Sequence, residues 1–138
     1  MKVITKLPNE EAKIAEIGSE IGELQGLVGG LIEIVDMPKK DGIEIVVNDN
    51  FLNEGMEPNI ILPEREEVLC GPIVIAGLNK EEGSLTSLSE KELKEAMAYI
   101  ERNKVYGMSL GGAYRYCLVA KEFQESEDEI KRNQMEVS

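Results

Sequence analysis

Apolar positions along this chain recur mostly in short alternating runs broken by polar turns, with two stretches at helical spacing. Val3 to Leu7 predicts a first strand, and Ala12 to Ile17 alternates apolar and charged residues so that it pairs with the first across Pro8-Asn9-Glu10-Glu11. Ile21, Leu24, Leu27 and Val28 then fall on one helical face, with Ser19 as N-cap and Gly29 at the C′ position, where a left-handed residue is wanted. Gly22 and Gly26 each weaken such a helix by about 1 kcal/mol relative to Ala, so tertiary packing must hold it. Leu31 to Val35 and Ile43 to Val47 predict a hairpin, ended by Pro38 and turned at Asp41-Gly42.

The second half opens with a long connection, Asn48 to Glu67, in which only Ile60 to Leu62 is apolar enough to dock on a core. A connection of that length inside a small domain tends to carry function. Val68 to Leu78 is the most apolar segment, and its β-branched centre predicts one strand, buried on both faces and central in the sheet. Leu88-Ser89-Glu90-Lys91-Glu92-Leu93 spells a capping box with its hydrophobic staple, opening a helix with Leu93, Ala96, Met97 and Ile100 on one face and an end near Asn103. Ala113 to Ala120 predicts a final extended segment. Residues 121–138 form a charged extension, either a surface helix docking through Phe123, Ile130 and Met135 or a partly disordered tail. The resulting expectation is an α+β fold, a small mostly antiparallel sheet of five to six strands with two main helices packed on it. A single domain spans residues 1–120, followed by the C-terminal extension.

Length and composition agree with one domain, since 138 residues with 42% hydrophobic content suffice for a single core. The net charge of −12 opposes direct binding to nucleic acid or to an anionic membrane, both of which depend on basic side chains, and it favours a protein partner with a basic surface. Cys70 and Cys117 form no paired motif and read as reduced core thiols, which suits a cytosol. The first residues, broken by Pro8 and acidic positions, lack a signal-peptide core, and no apolar run approaches the roughly 18 residues of a membrane span. The expected location is the cytoplasm.

One stretch invites an enzymatic reading. Gly107, Ser109 and Gly111 fit the G-x-S-x-G pattern of a serine-hydrolase nucleophile elbow, yet the sequence contains no histidine to take the serine proton. Gly107 and Gly112 have the separation of a phosphate loop, but Ala113 and Tyr114 stand where its Lys and Ser or Thr belong. The segment around Gly55 suggests a calcium loop, but Leu52 falls where an oxygen ligand is needed. A zinc site would lack the usual paired spacing, and Glu66-Glu67 and Glu81-Glu82 read as solvated carboxylates. No catalytic residue, metal ligand or cofactor is therefore expected. What remains is recognition chemistry: Tyr114, Arg115 and Tyr116, residue types that anchor interfaces, and the polar loop bounded by Asn48 and Asn59.

The order of segments is also familiar. ELQGLVGGLIEIV at Glu23 to Val35, DGIEIVVND at Asp41 to Asp49, GMEPN at Gly55 to Asn59, CGPIVIAG at Cys70 to Gly77 and SLTSLSEKEL at Ser84 to Leu93 together resemble domain of unknown function 3846, a family of short proteins of phages, plasmids and gut bacteria. The likeness covers about residues 1–102, with Leu31 standing where the family commonly holds an aromatic. It implies an α+β fold and a mobile-element origin, and it carries no catalytic residues to transfer. In that setting the residues point to a non-enzymatic phage or mobile-element accessory protein. It would act in the host cytosol by binding and inhibiting or modulating a host macromolecule, for instance one used in defence. The alternatives are a small-molecule binder that sequesters a nucleotide-like signal, with Asn48, Asn59, Tyr114, Arg115 and Tyr116 at a homodimer interface, and, kept only as a control, a serine hydrolase using Ser109.

Overall fold

The computed structural model describes residues 1–110 and 113–118, with side chains through Val105. A six-stranded sheet forms its frame. Strand β1 (Lys2–Lys6) pairs with β2 (Lys13–Glu16) in an antiparallel hairpin whose register sets Val3 against Ala15 and Ile4 against Ile14. Helix α1 (Ile21–Val28) leads to a second hairpin, β3 (Ile32–Asp36) with β4 (Ile43–Asn48). Beyond it, β5 (Pro58–Leu62) and β6 (Glu67–Cys70) make a separate two-stranded layer, joined by a short 3-10 turn at Pro63–Arg65. Strand β7 (Ile73–Asn79) returns to the main sheet, and β8 (Ser84–Thr86) folds back on it before helix α2 (Glu90–Asn103). The last pair is β9 (Val105–Leu110) with β10 (Ala113–Leu118), also antiparallel. The sheet order is β2-β1-β7-β4-β3, with β8 beside β7, which is the expected α+β arrangement.

Burial explains why the order holds. All of β4 is buried, and β7 is buried from Ile73 to Gly77, because both are central strands with covered faces. Alternate residues serve opposite cores. Val3, Val46, Val74 and Ala76 meet Leu24 and Val28 of α1 on one side. On the other, Ile4, Ile45, Val47, Ile73 and Ile75 meet Leu93, Ala96, Tyr99 and Ile100 of α2 together with Ile60, Leu62 and Leu69 of the β5–β6 layer. Helix α2 begins as its sequence announces. The Ser89 hydroxyl accepts from the Glu92 amide at 3.1 Å, the Glu92 carboxylate accepts from the Ser89 amide at 2.8 Å, and the staple residues Leu88 and Leu93 are both buried.

Four expectations change. Val68 to Leu78 is two strands, because Gly71 adopts a φ of 80°, open only to glycine without strain, and Pro72 has no amide for a ladder; only the second strand is central. The long connection contains β5, so its irregular part shrinks to residues 49–57. Ser19 does not cap α1. Glu20 holds the N-cap position without a side-chain bond, and the Glu23 carboxylate instead accepts from the Gly18 amide at 2.6 Å. The helix presents only Leu24 and Val28 to the core, leaving Ile21 and Leu27 exposed at 60% and 38%. Gly29 does end it in the left-handed conformation, its amide bonded to Gln25. The segment containing Ser109 is strand β9, with Ser109 opposite Tyr114, and not the strand-to-helix turn of a nucleophile elbow. The expected tail, with Phe123, Ile130 and Met135, lies outside the described residues.

Ile75 is fully buried and sits between Ile4 and Ile45 in the register. Truncation by Ile75→Ala should cost about 2–5 kcal/mol in urea unfolding. The exposed Ile34 of edge strand β3 should tolerate the same change within about 0.5 kcal/mol.

Candidate functional site

The segment from Asp49 to Glu57 arches over the β5–β6 hairpin and leaves a cleft of about 580 Å³ between them. Its walls are Phe51, Leu52 and Met56 from the arch and Pro58, Val68 and Cys70 from the hairpin, with Glu66 and Glu67 also in the lining. Phe51 and Cys70 are buried, whereas Leu52 is 76% exposed, the highest value among the exposed large apolar side chains. Glu66 has a φ of 49°, a left-handed position ending the 3-10 turn. No Lys or Arg lines the cleft. Its charged lining residues are two exposed carboxylates, and the rest of its named walls are apolar.

Two asparagines hold the arch. Asn48, at the end of β4, donates from Nδ2 to the Val28 carbonyl at 3.2 Å and to Glu54 at 3.3 Å, while its Oδ1 accepts from the Asn50 amide at 2.7 Å. Asn59, fully buried in β5, donates from Nδ2 to the carbonyls of Lys6 and Gly71, each at 2.8 Å. Its Oδ1 accepts from the Lys6 ammonium at 2.5 Å. One side chain therefore links β1, β5 and the Gly71 break between β6 and β7, answering buried polar groups that would otherwise go unmet. Two further bonds fix the arch: the Gly71 amide donates to the Glu57 carbonyl at 2.7 Å, and Asn9 donates to the Glu57 carboxylate at 2.7 Å. Met56 lies so close to Gly71 that a Cβ there would collide with its sulfur.

The electrostatics follow from burial. Lys6 is 2% exposed, and loss of water pushes its ammonium down to a pKa of about 8, with the neighbouring Lys104 adding to the fall and Glu11 opposing it. Burial likewise raises the Cys70 thiol, which keeps it protonated and a poor nucleophile. Tyr99, buried in α2, donates to Glu64 at 2.9 Å and is shifted upward by burial and by that bond, pinning the 3-10 turn to the helix. Among the described residues no group of three or more Cys, Asp or Glu is arranged to hold a metal ion. No helix among them is long and apolar enough to cross a membrane.

The residues singled out from sequence are thus placed in two regions. Asn48 and Asn59 bracket the arch, with their amides turned inward to backbone and Lys6, so that they position the cleft without lining it. Tyr114, Arg115 and Tyr116 occupy β10, opposite Ser109, Met108 and Gly107, and their side chains lie outside what the structure describes. The lining residues Phe51, Leu52, Met56 and Val68 were missed. The available signal was the cluster of large apolar side chains in a segment otherwise rich in Asn and Glu.

An antiparallel sheet with a helix on each face and a hairpin layer carrying an arched cleft defines a small α+β domain. The chain belongs to the family described as domain of unknown function 3846 (DUF3846), whose model matches residues 1–102. No curated protein and no solved structure matches it. The whole cleft and both asparagines fall inside the matched region, while Tyr114 to Tyr116 fall beyond it.

Replacing Asn59 by Ala should destabilise the fold by about 1–3 kcal/mol, measured by urea unfolding, because two carbonyls and an ammonium lose their buried partner. Lys6 supplies a pH test. The unfolded chain keeps this proton to near 10.5 while the folded chain releases it near 8, so the unfolded state binds more protons between those values and stability rises with pH there. The difference in stability between wild type and Lys6→Met should therefore shift in favour of wild type on going from about pH 8 to about pH 10.

Proposed function

We propose that this protein is a non-enzymatic binding protein whose arched cleft takes a basic, partly apolar segment of another protein. In the setting that the family resemblance suggests, it is an accessory protein of a phage or other mobile element that modulates a host macromolecule by occupying its basic surface. The observation that carries the reading is the cleft itself, with a largely apolar lining that includes the exposed Leu52 and only carboxylates among its charged residues. An apolar side chain entering it removes nonpolar area from water, while flanking Lys or Arg residues meet Glu66 and Glu67. The net charge of −12 adds long-range attraction for such a partner and speeds encounter. A nucleotide-like ligand has less to hold it here, because its phosphates would face carboxylates with no cation in the lining.

The chemistry is testable with defined peptides that carry Leu or Phe between Lys residues, using acidic counterparts of equal hydrophobicity as controls. Basic peptides should bind and acidic ones should not, and affinity should fall as salt screens the charge term. The double change Glu66→Lys with Glu67→Lys should weaken binding about tenfold and flatten the salt dependence. Leu52→Ser should weaken it at every salt concentration. Basic and acidic peptides binding alike, or affinity unmoved by any of these changes, would count against the proposal.

A further inference from the structure

Strand β6 has an open edge. On one side β5 pairs with it, Ile60 opposite Leu69, Ile61 opposite Val68 and Leu62 opposite Glu67, and β5 is in turn flanked by Lys104, which bridges Ile60 just ahead of β9. On the other side no strand pairs with β6 among the described residues. Outside the β5 ladder, nothing among them is hydrogen-bonded to the backbone of Glu67 through Cys70. A strand turns the N–H and C=O of alternate residues to opposite sides, so roughly half of β6 presents donors and acceptors to whatever comes alongside.

The arched cleft runs along this edge. Glu67 and Val68 are successive strand residues whose side chains leave from opposite faces, yet both border the cleft. A cavity that touches both faces of a strand lies beside it and not above either face. The arch across the cleft leaves the edge unmet because its amides are bonded within itself: Glu54 donates to the Asn50 carbonyl at 3.0 Å, Gly55 to Leu52 at 3.2 Å and Met56 to Phe51 at 3.0 Å. Arch and hairpin backbones join only past the end of β6, where Gly71 donates to Glu57.

We propose that the partner segment enters this cleft as an extended strand and adds to the free edge of β6, held by main-chain hydrogen bonds and selected by its alternate side chains. The inference rests on the docking role proposed above and specifies the kind of partner, a stretch of about five residues that alternates apolar with basic side chains. Its apolar side chains lie on the side of Val68 and Cys70, against Phe51 and Met56, and its basic ones on the side of Glu67. An amphipathic helix is unsuited to this edge, since it bonds its own backbone and offers none to β6. A second copy of this chain is also unsuited, because each copy carries a net charge of −12 and begins the edge with two exposed carboxylates, Glu66 and Glu67.

The test uses the whole protein and a capped peptide of about seven residues alternating Leu and Lys, with variants in which one peptide amide at a time is N-methylated. An added strand directs only every second amide at β6, so N-methylation should weaken binding at least about tenfold at alternate positions and less than about threefold between them. Hydrogen exchange followed by NMR should show the peptide slowing, by at least about tenfold, the outward-facing amides among Glu67 to Cys70. A stapled helix of the same composition should bind at least about tenfold more weakly. A flat N-methylation profile with unchanged exchange in β6, or equal or tighter binding by the helix, would overturn strand addition; Leu52→Ser still weakening the peptide would show that the docking role itself survives. Failure of every peptide to bind would overturn both. Protection of the β6 amides that grows with protein concentration, in the absence of peptide, would assign the edge to a second copy and overturn the proposal as well.

Discussion

A single buried amide, that of Asn59, ties the outer layer of this protein to its sheet. Its Nδ2 meets carbonyls on β1 and at the β6–β7 break, and its Oδ1 meets the Lys6 ammonium, so three segments far apart in sequence are fixed by one planar group. Around that point the apolar contacts of Ile60, Leu62 and Leu69 with the sheet supply the bulk of the burial free energy, but they are non-directional. The hydrogen bonds select one position for the hairpin. The arch between Asn48 and Asn59, and so the shape of the cleft, follows from that position.

The arrangement divides labour between the two faces of the sheet. Helix α1 is short and covers Val46, Val74 and Ala76, leaving Leu27 and Leu31 partly in water. The opposite face carries α2 and the hairpin layer and buries the larger core. Because the arch leans on this larger core through Phe51, its backbone is held while Leu52 stays outside. A surface held rigid in this way loses less conformational entropy on binding than a free loop does. The proposed recognition role therefore rests on packing beneath the cleft as much as on the residues that line it.

Much of the fold was legible because the governing signals are local. Alternation in Val3 to Lys6 and Ile43 to Val47, the positive-φ glycine after α1 and the reciprocal bonds of Ser89 and Glu92 are decided within a few residues. The misreadings arise where distant packing decides. Gly71-Pro72 breaks an apolar run whose two halves both resemble buried strand, and only the docking of β6 onto β5 tells them apart. Strand β8 has three residues and owes its form to β7. Asn48 and Asn59 stood out as polar groups in a long loop, and sequence cannot distinguish an amide that meets a ligand from one that satisfies a buried backbone. Val68 and Cys70, taken from sequence as part of a central strand, turn up in the cleft wall for the same non-local reason.

The claim on which the functional account depends is that the arched cleft is where a partner docks. Methyl-resolved NMR titration with a Lys- and Leu-containing peptide tests it most directly, since Leu52, Met56 and Val68 each carry a reporter in the cleft wall. The account predicts shifts concentrated on those three methyl-bearing residues, with the α1 face around Leu24 and Val28 unmoved. Shifts confined to that opposite face, or none at saturating peptide, would contradict it.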